Sequence, residues 1–307
     1  MIAIRQNRLG GPEVLEAVEV DRPSPAPTEV LVRVTGAGVN PVDFKTRARG
    51  GFLGEPPFVL GWDIAGVVEE VGFGVTRFQP GDRVFGMPAF PREAGGYAEY
   101  AVARSRELAR IPDGVSDEEA AALPLAGLTA WQAVVDTAHV GPGTRVLIHA
   151  AAGGVGHLAV QIAKAAGAYV VGTARATHHA WLKDLGADQL IDYTSEPTDR
   201  ADVDVIVDLV GGDVGLKSLP SLRDGGLIIT IPSGSDLGPL KAAAGDRVRA
   251  TSLLVEPDRV GMEALAQLAG EGKLDVKVRT FPLAQAGEAH ALLERGEAGG
   301  GKLVLVP

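Results

Sequence analysis

The chain has 307 residues, 46% of them hydrophobic, which is enough to bury the cores of two domains and too many for a disordered polymer. A formal charge of −10 and a pI near 5.1, with no cluster of Lys and Arg, argue against nucleic acid or an anionic membrane surface as partner. Cysteine is absent, which removes disulfides, thiolate catalysis and every Cys-based zinc site.

Met1 to Glu16 lacks the charged-then-apolar pattern of a signal peptide, and no apolar run is long enough to span a bilayer, so a cytoplasmic location is expected. Up to about residue 115, short β-type runs alternate with Pro and Gly punctuation: Val30 to Val34, Gly66 to Val68 and Asp82 to Phe85. This pattern predicts a β-rich barrel or sandwich. The proline-rich stretch Arg22 to Pro27 runs directly into a strand and reads as a stiff loop, not a domain linker. At Ser116 a helix begins, with Ser as N-cap and Glu119 in the capping-box position, leading into the next domain.

Thr144 to Ala174 reads as a strand, a glycine turn, a helix and a second strand, the βαβ unit of a nucleotide-binding domain. Val146 to Ile148 suit a strand buried on both faces, and Gly153-Gly154-Val155-Gly156 follows. Leu158, Ile162 and Ala165 recur at helical spacing, and Gly167 sits where a helix C-terminus accepts positive φ. Glycines let the backbone approach a pyrophosphate while the N–H groups opening the helix point at its charge. Ala151 stands at the first of the three usual glycine positions, leaving Gly153 and Gly156 as the second and third. NAD binders place a carboxylate at the end of the second strand, but here the strand ends Gly172-Thr173-Ala174-Arg175. An arginine in that place welcomes a 2′-phosphate, so the expected cofactor is NADPH.

The βα alternation continues through strands at Gln189–Tyr193, Val203–Leu209, Leu227–Ile231 and Val248–Val255, predicting a doubly wound parallel sheet. A helix from about Asp258 to Ala269 follows. Lys277 to Phe281 and Lys302 to Val306 then read as strands that rejoin the first domain. His178 and His179 lie at a polar helix start and read as a solvated face. His149, Trp131 and Trp181 read as structural, and Ser233 has no G-x-S-x-G elbow to support hydrolase chemistry.

Taken together, these blocks resemble the medium-chain dehydrogenase/reductase superfamily, specifically its zinc-free quinone oxidoreductase branch, the zeta-crystallin-like proteins. The likeness is carried by Gly38 to Asp43, Gly61 to Gly66, Gly81 to Val84, Gly95 to Tyr100, Leu128-Thr129-Ala130, Ala151 to Gly156, Asp208 to Gly212 and Gly301 to Leu305. It implies an α/β fold in which a GroES-like barrel of residues 1–116 and 275–307 is interrupted by a Rossmann domain of residues 117–274. Zinc alcohol dehydrogenases of the superfamily carry Gly-His-Glu where this chain has Gly61-Trp62-Asp63, and a cysteine near Asn40. With both ligands missing, no metal is expected, and the implied activity is hydride transfer from NADPH to a quinone or an α,β-unsaturated carbonyl, whose own carbonyl delocalises the incoming charge.

Residue by residue, the resemblance puts Asn40 and Thr129 at the nicotinamide, as cofactor contacts and catalytic residues, and Gly153, Gly154, Val155 and Gly156 at the pyrophosphate. Thr173, Arg175 and Tyr193 fall at the adenosine end, and Val210 and Gly211 on the wall of the site. Relatives often carry a tyrosine where this chain has Lys45, so a phenolic donor does not carry over, and Lys45 could instead supply a charge and a proton. The resemblance also suggests a homodimer. The alternatives are a stand-alone enoyl reductase of polyketide-type thioesters and a nonenzymatic NADPH-binding or structural protein.

Overall fold

The structure, a computed structural model, describes residues 1–232 and 236–307, and Ser233 lies outside the described residues. By its contacts the chain divides into two compact units. One comprises Met1–Leu128, Glu256–Gly272 and Val276–Pro307; the other comprises Thr129–Val255 and Lys273–Asp275.

The first unit is built around one long strand. After β1 (Ile2–Gln6) and β2 (Glu16–Glu19) comes β3 (Glu29–Val39), followed by helix α1 (Pro41–Arg49) and strands β4 (Phe58–Val59), β5 (Asp63–Val71), β6 (Arg83–Gly86), β7 (Tyr100–Arg104) and β8 (Leu108–Arg110). β3 pairs antiparallel with β5 along most of its length and with β7 over Glu29 to Arg33. Register shifts at Leu31/Val32 and Val34/Gly36 bend this ribbon, as bulges do. Helix α1 has no counterpart among the sequence expectations, although its start and stop are written locally. Pro41 opens it, Asp43 accepts a hydrogen bond from the Asn40 N–H (2.6 Å), and Gly50 closes it at φ 81°.

Helix α2 (Asp117–Ala122) starts as expected, with Glu119 N donating to Ser116 Oγ (3.2 Å) and Ser116 N donating to Glu119 Oε2 (2.9 Å). The sequence places it with the nucleotide-binding part, yet its buried alanines lie against β3 and β5, and it groups with the first unit. Small side chains decide this, because they let the helix backbone come close to the sheet: a Cβ on Gly36 would stand 2.9 Å from that of Ala121. Helix α3 (Pro124–Trp131) straddles the division.

The second unit contains β9 (Arg145–Ile148), α4 (Gly156–Ala165), β10 (Tyr169–Thr173), α5 (His179–Asp184), β11 (Gln189–Ile191), β12 (Val203–Asp208), α6 (Asp213–Ser218), β13 (Leu222–Thr230), α7 (Leu237–Ala244) and β14 (Arg249–Ser252). Its six strands are all parallel, in the order β11-β10-β9-β12-β13-β14. Counted from β9 this is 3-2-1-4-5-6, the doubly wound arrangement, with the direction of winding reversing between β9 and β12. Leu147, Val171, Ile206 and Ile228 fill the core of this sheet. β11 stops two residues and β14 three residues short of the expected Tyr193 and Val255; Tyr193 is exposed and Val255 is buried outside the sheet.

Helix α8 (Arg259–Gly270) begins at the expected place, with Asp258 accepting from Val260 and Gly261 N–H groups (3.0 and 2.6 Å). It packs on β8, in the first unit, whereas the sequence assigns it to the nucleotide-binding part. The chain closes with β15 (Val278–Pro282), α9 (Ala286–Glu294) and β16 (Lys302–Val306). β15 runs parallel to β16, and β16 pairs antiparallel with the end of β3, Leu303 opposite Val39 and Leu305 opposite Ala37. Ending the chain at Asp275 removes β16 and strips a neighbour from the central strand of the first unit. The truncated protein is expected to be insoluble or to lose its cooperative melting transition, measured by circular dichroism; a folded, soluble product would contradict this role for β16.

Candidate active site

In the second unit the elements converge at the carboxyl edge of the parallel sheet, on both sides of the winding reversal. The turn Ala151 to Val155 lies between β9 and α4, with Ala152 to Val155 half-buried between buried Ala151 and Gly156. Its shape depends on packing at one end. A Cβ on Gly156 would lie 2.2 Å from the Ala150 carbonyl oxygen, so α4 can leave the strand this closely only with glycine there. A Cβ on Gly153 would meet little besides that same oxygen, at 3.1 Å. That contact is itself tight, and the rest of the space around Gly153 is open. The N–H groups of Gly154 and Val155 find no acceptor among the described residues, and they open a ten-residue helix, an arrangement suited to a phosphate.

Beneath the turn lies a buried hydrogen-bonded chain. Ala150 N donates to Thr173 Oγ1 (3.2 Å), Thr173 Oγ1 lies 3.1 Å from His149 Nδ1, and His149 Nε2 lies 2.7 Å from Ser218 Oγ, which donates to Val214 O (2.6 Å). With the serine proton committed to Val214, Nε2 must be the donor and Nδ1 the acceptor from Thr173, so every group is satisfied with a neutral imidazole. Burial lowers the His149 pKa in the same sense. Thr173, placed by resemblance at the adenosine end, is thus buried with its hydroxyl engaged in this floor.

Arg175, two residues past Thr173, is exposed and has no acidic partner. Tyr193 lies two residues past Ile191, which pairs with Thr173, so the two side chains follow matching positions on neighbouring strands; Tyr193 is 49% exposed. Between them Asp192 is spent on local structure, accepting from Ala176 N (3.2 Å) and Thr194. Past β12, Asp208 Oδ1 accepts the N–H groups of Val210 (3.0 Å) and Gly211 (2.8 Å), curling the loop and leaving Val210 49% exposed.

In the first unit the focus is Asn40, at the junction of β3 and α1. Its Nδ2 donates to Asp63 Oδ2 (2.7 Å) and its Oδ1 accepts from Lys302 Nζ. Lys302 also donates to Val39 O (3.2 Å) and Asp63 Oδ2 (3.5 Å), and Asp63 Oδ1 accepts from Leu125 N (2.7 Å). Burial raises the Asp63 pKa and lowers that of Lys302, each against the attraction of the other. Next to them Asp43 is pushed up to about 7, chiefly by burial and against the hydrogen bond from Asn40 N–H. The network continues through Tyr97 Oη, 3.1 Å from His290 Nε2, and His290 Nδ1, 3.3 Å from Arg47 Nη1, to the Arg47–Glu294 ion pair (2.7 Å). Arginine can only donate, so the His290 proton sits on Nε2 and faces Tyr97. The phenol hydrogen is left to face Asp43, whose ionised form Tyr97 favours, while Asp43 Oδ1 has no hydrogen-bond partner among the described residues. Burial, then Arg47, pushes His290 down to about 3. Two ion pairs, Lys302–Asp63 and Arg47–Glu294, flank a carboxyl whose charge burial disfavours, and buried charges demand such pairing.

Lys45 lies on the exposed side of α1 without an ion-pair partner. Thr129 is buried on α3, in the second unit. Trp62 is buried and donates from Nε1 to Arg92 O (2.6 Å). Among the described residues no group of three His, Asp or Glu side chains could hold a metal ion, and no helix is long and apolar enough to cross a membrane. Sequence reasoning does not single out Lys302, Asp63, Asp43, Tyr97 or His290 as site groups. The signal for the first two is a charge inside an apolar run, in Gly301-Lys302-Leu303-Val304 and Trp62-Asp63-Ile64-Ala65.

Residues 26–113 match the model of the alcohol dehydrogenase GroES-like domain, and residues 185–305 that of the zinc-binding dehydrogenases. A chloroplast envelope quinone oxidoreductase homolog of Arabidopsis thaliana is 34% identical over 100% of this chain and 98% of its own. The structure of a quinone oxidoreductase from Coxiella burnetii superposes with a TM-score of 0.94 at 40% identity, over 100% of this chain and 99% of that one. The Escherichia coli quinone oxidoreductase, solved in complex with NADPH, superposes with a TM-score of 0.89 at 32% identity over all of both chains.

The raised pKa of Asp43 sets a pH dependence. A carboxyl whose folded pKa lies above its unfolded 3.8 contributes stability below pH 3.8 and loses it as pH rises through about 7. Asp43→Asn, which has no proton to lose, should therefore gain melting temperature relative to the parent between pH 4 and 8. The gain corresponds to up to roughly 4 kcal/mol and is flat above pH 8. A difference independent of pH would mean that Asp43 is ionised throughout.

Proposed function

The chain belongs to the quinone oxidoreductase branch of the medium-chain dehydrogenase/reductase superfamily, and from that membership we propose that it is an NADPH-dependent oxidoreductase that reduces a quinone or an α,β-unsaturated carbonyl. The observation that carries this reading is the glycine turn, whose Gly154 and Val155 N–H groups are unpaired among the described residues, at the winding reversal of a 3-2-1-4-5-6 sheet, followed just past the next strand by an arginine with no acidic partner among the described residues. A nicotinamide dinucleotide fits these residues. Gly153, Gly154, Val155 and Gly156 would hold the pyrophosphate, Arg175 and Tyr193 the adenosine end, and Val210 and Gly211 a wall. Thr173 supports the turn from below through His149. When bound, the cofactor supplies a hydride to the acceptor.

The chain's own residues have to bind, orient and meet the charge that hydride delivery places on the acceptor oxygen. Asn40 and Thr129 take the nicotinamide side in this reading. An aromatic series supports a planar acceptor in the first unit. Phe52, 43% exposed in the turn after α1, meets Phe90 edge-on at 5.6 Å, and Phe90 meets buried Trp62 edge-on at 5.4 Å. Lys45, on the helix that precedes Phe52, would offer a positive charge and a proton to such an acceptor. A homodimer and a cytoplasmic location complete the reading.

The test is steady-state oxidation of NADPH and NADH with a panel of quinones, enones and enoyl thioesters. Preference for NADPH is expected to be ten- to hundredfold, the ratio that one charge-assisted contact of roughly 1.5 to 3 kcal/mol provides. Arg175→Ala should erase most of it without changing kcat, and equal use of NADH by the parent would refute the assignment of Arg175. Lys45→Met should lower turnover of enones more than that of quinones while NADPH affinity stays within about twofold, since a quinone is electrophilic without help. Equal small effects on both acceptors would remove Lys45 from the chemistry.

A further inference from the structure

β3 ends between two strands that each bring a charge to its last residues. Leu303 pairs with Val39, which sets Lys302 beside Asn40, and Gly38 pairs with Asp63. Asp63 is fully buried and Lys302 is 4% exposed. Stability alone does not account for this pair, because two buried charges are costly to desolvate and an apolar pair of similar volume is often as stable. Its geometry instead has a directed effect. The three hydrogens of the Lys302 ammonium meet Val39 O, Asn40 Oδ1 and Asp63 Oδ2, so a cation faces the amide oxygen. A carboxylate faces the amide nitrogen. Turning the amide over would set N–H against ammonium and oxygen against carboxylate, so only one orientation survives. In that orientation the Asn40 oxygen is taken, one Nδ2–H is taken, and one Nδ2–H is left. Among the described residues Nδ2 donates no second hydrogen bond.

We infer that Lys302 and Asp63 are positioning residues that fix Asn40 as a donor-only group, whose remaining Nδ2–H is reserved for a carbonyl oxygen at the reacting centre. The inference rests on the oxidoreductase reading above and names the residues that tune one of its site groups. The carbonyl belongs either to the nicotinamide carboxamide or to the acceptor, and the neighbouring ammonium makes the N–H a better donor to both.

The experiment has two arms. In the first, kcat/KM for a quinone, NADPH affinity and melting temperature are measured for Asn40→Ala, for the charge-neutral pair Lys302→Met with Asp63→Asn, and for all three changes together. Asn40→Ala and the neutral pair should each lose ten- to hundredfold in kcat/KM, and the triple variant no more than about twofold beyond either, because Lys302 and Asp63 act through Asn40. A merely structural pair predicts lowered melting with parental kcat/KM per folded molecule, or losses that multiply in the triple variant, and either result overturns the inference.

The second arm needs no folded variant of the pair. In protein labelled with 15N-asparagine, the Asn40 side-chain resonances, assigned by their loss in Asn40→Ala, should show one exchange-protected hydrogen and one that shifts on ligand addition. A shift on adding NADP+ alone assigns the carbonyl to the nicotinamide; a shift only when a quinone is added as well assigns it to the acceptor. Two equivalent hydrogens, or no shift with either ligand, overturns the inference. A parent protein that does not turn over quinones refutes the proposed function, and the resonances still decide whether Asn40 is a fixed donor.

Discussion

Everything in the first unit is arranged around the contact of Lys302 and Asp63 with Asn40. It joins residues separated by 262 and 239 positions in sequence and crosses three strands of one sheet. Such a contact forms only when β16 and β5 both lie beside β3 in the correct register, because a slip of one residue would turn each charge to the opposite face. The space is equally restrictive: a Cβ on Gly38 would stand 2.5 Å from Ala121 O and 2.7 Å from Asp63 Oδ2. The helix, the carboxylate and the central strand therefore approach as closely as backbone allows. The polar cluster carries little net stabilisation of its own, yet it rejects any arrangement that leaves one of its charges unmatched.

The same logic extends outward through Asp43, Tyr97, His290 and Arg47 to Glu294, which is part-exposed. Donors and acceptors along this line have a fixed direction, set at one end by an arginine that can only donate. α1, which carries Lys45, is tied at its first turn to Asn40 and, through buried Arg47 in its last turn, to α9. A helix of nine residues with so little apolar surface would not persist alone; tertiary polar contacts hold it.

In the second unit the sheet edge is built largely from backbone groups. Strand ends, a glycine turn and a helix N-terminus present N–H groups, and the His149–Thr173–Ser218 chain keeps the turn level with the sheet edge. Arg175 is an exposed cation just past β10 in a protein whose overall charge is negative, and a local cation on an acidic surface favours a phosphate without attracting polyanions.

Local sequence determined the elements whose signals are local. The capping box at Ser116, the β9–turn–α4–β10 unit, the apolar runs of the parallel sheet and the return strands at 277–306 were all legible, because periodicity and glycine placement act within a few residues. Arg175 is likewise legible as a cation directly past a strand, because that placement is local. Helix α1 escaped notice because its capping signals lack an apolar stripe, and α2 and α8 were assigned to the wrong neighbours because an alanine-rich or amphipathic face does not say which sheet will cover it. Thr173 reads as a ligand contact in sequence, and the structure shows it buried with its hydroxyl hydrogen-bonded to His149, an engagement that depends on where His149 points. Above all, Lys302 and Asp63 had no meaning in sequence beyond an odd charge in an apolar run. Only the pairing of β16, β3 and β5 brings them to Asn40, since the energy of a buried charge is decided by partners that the chain supplies from hundreds of residues away.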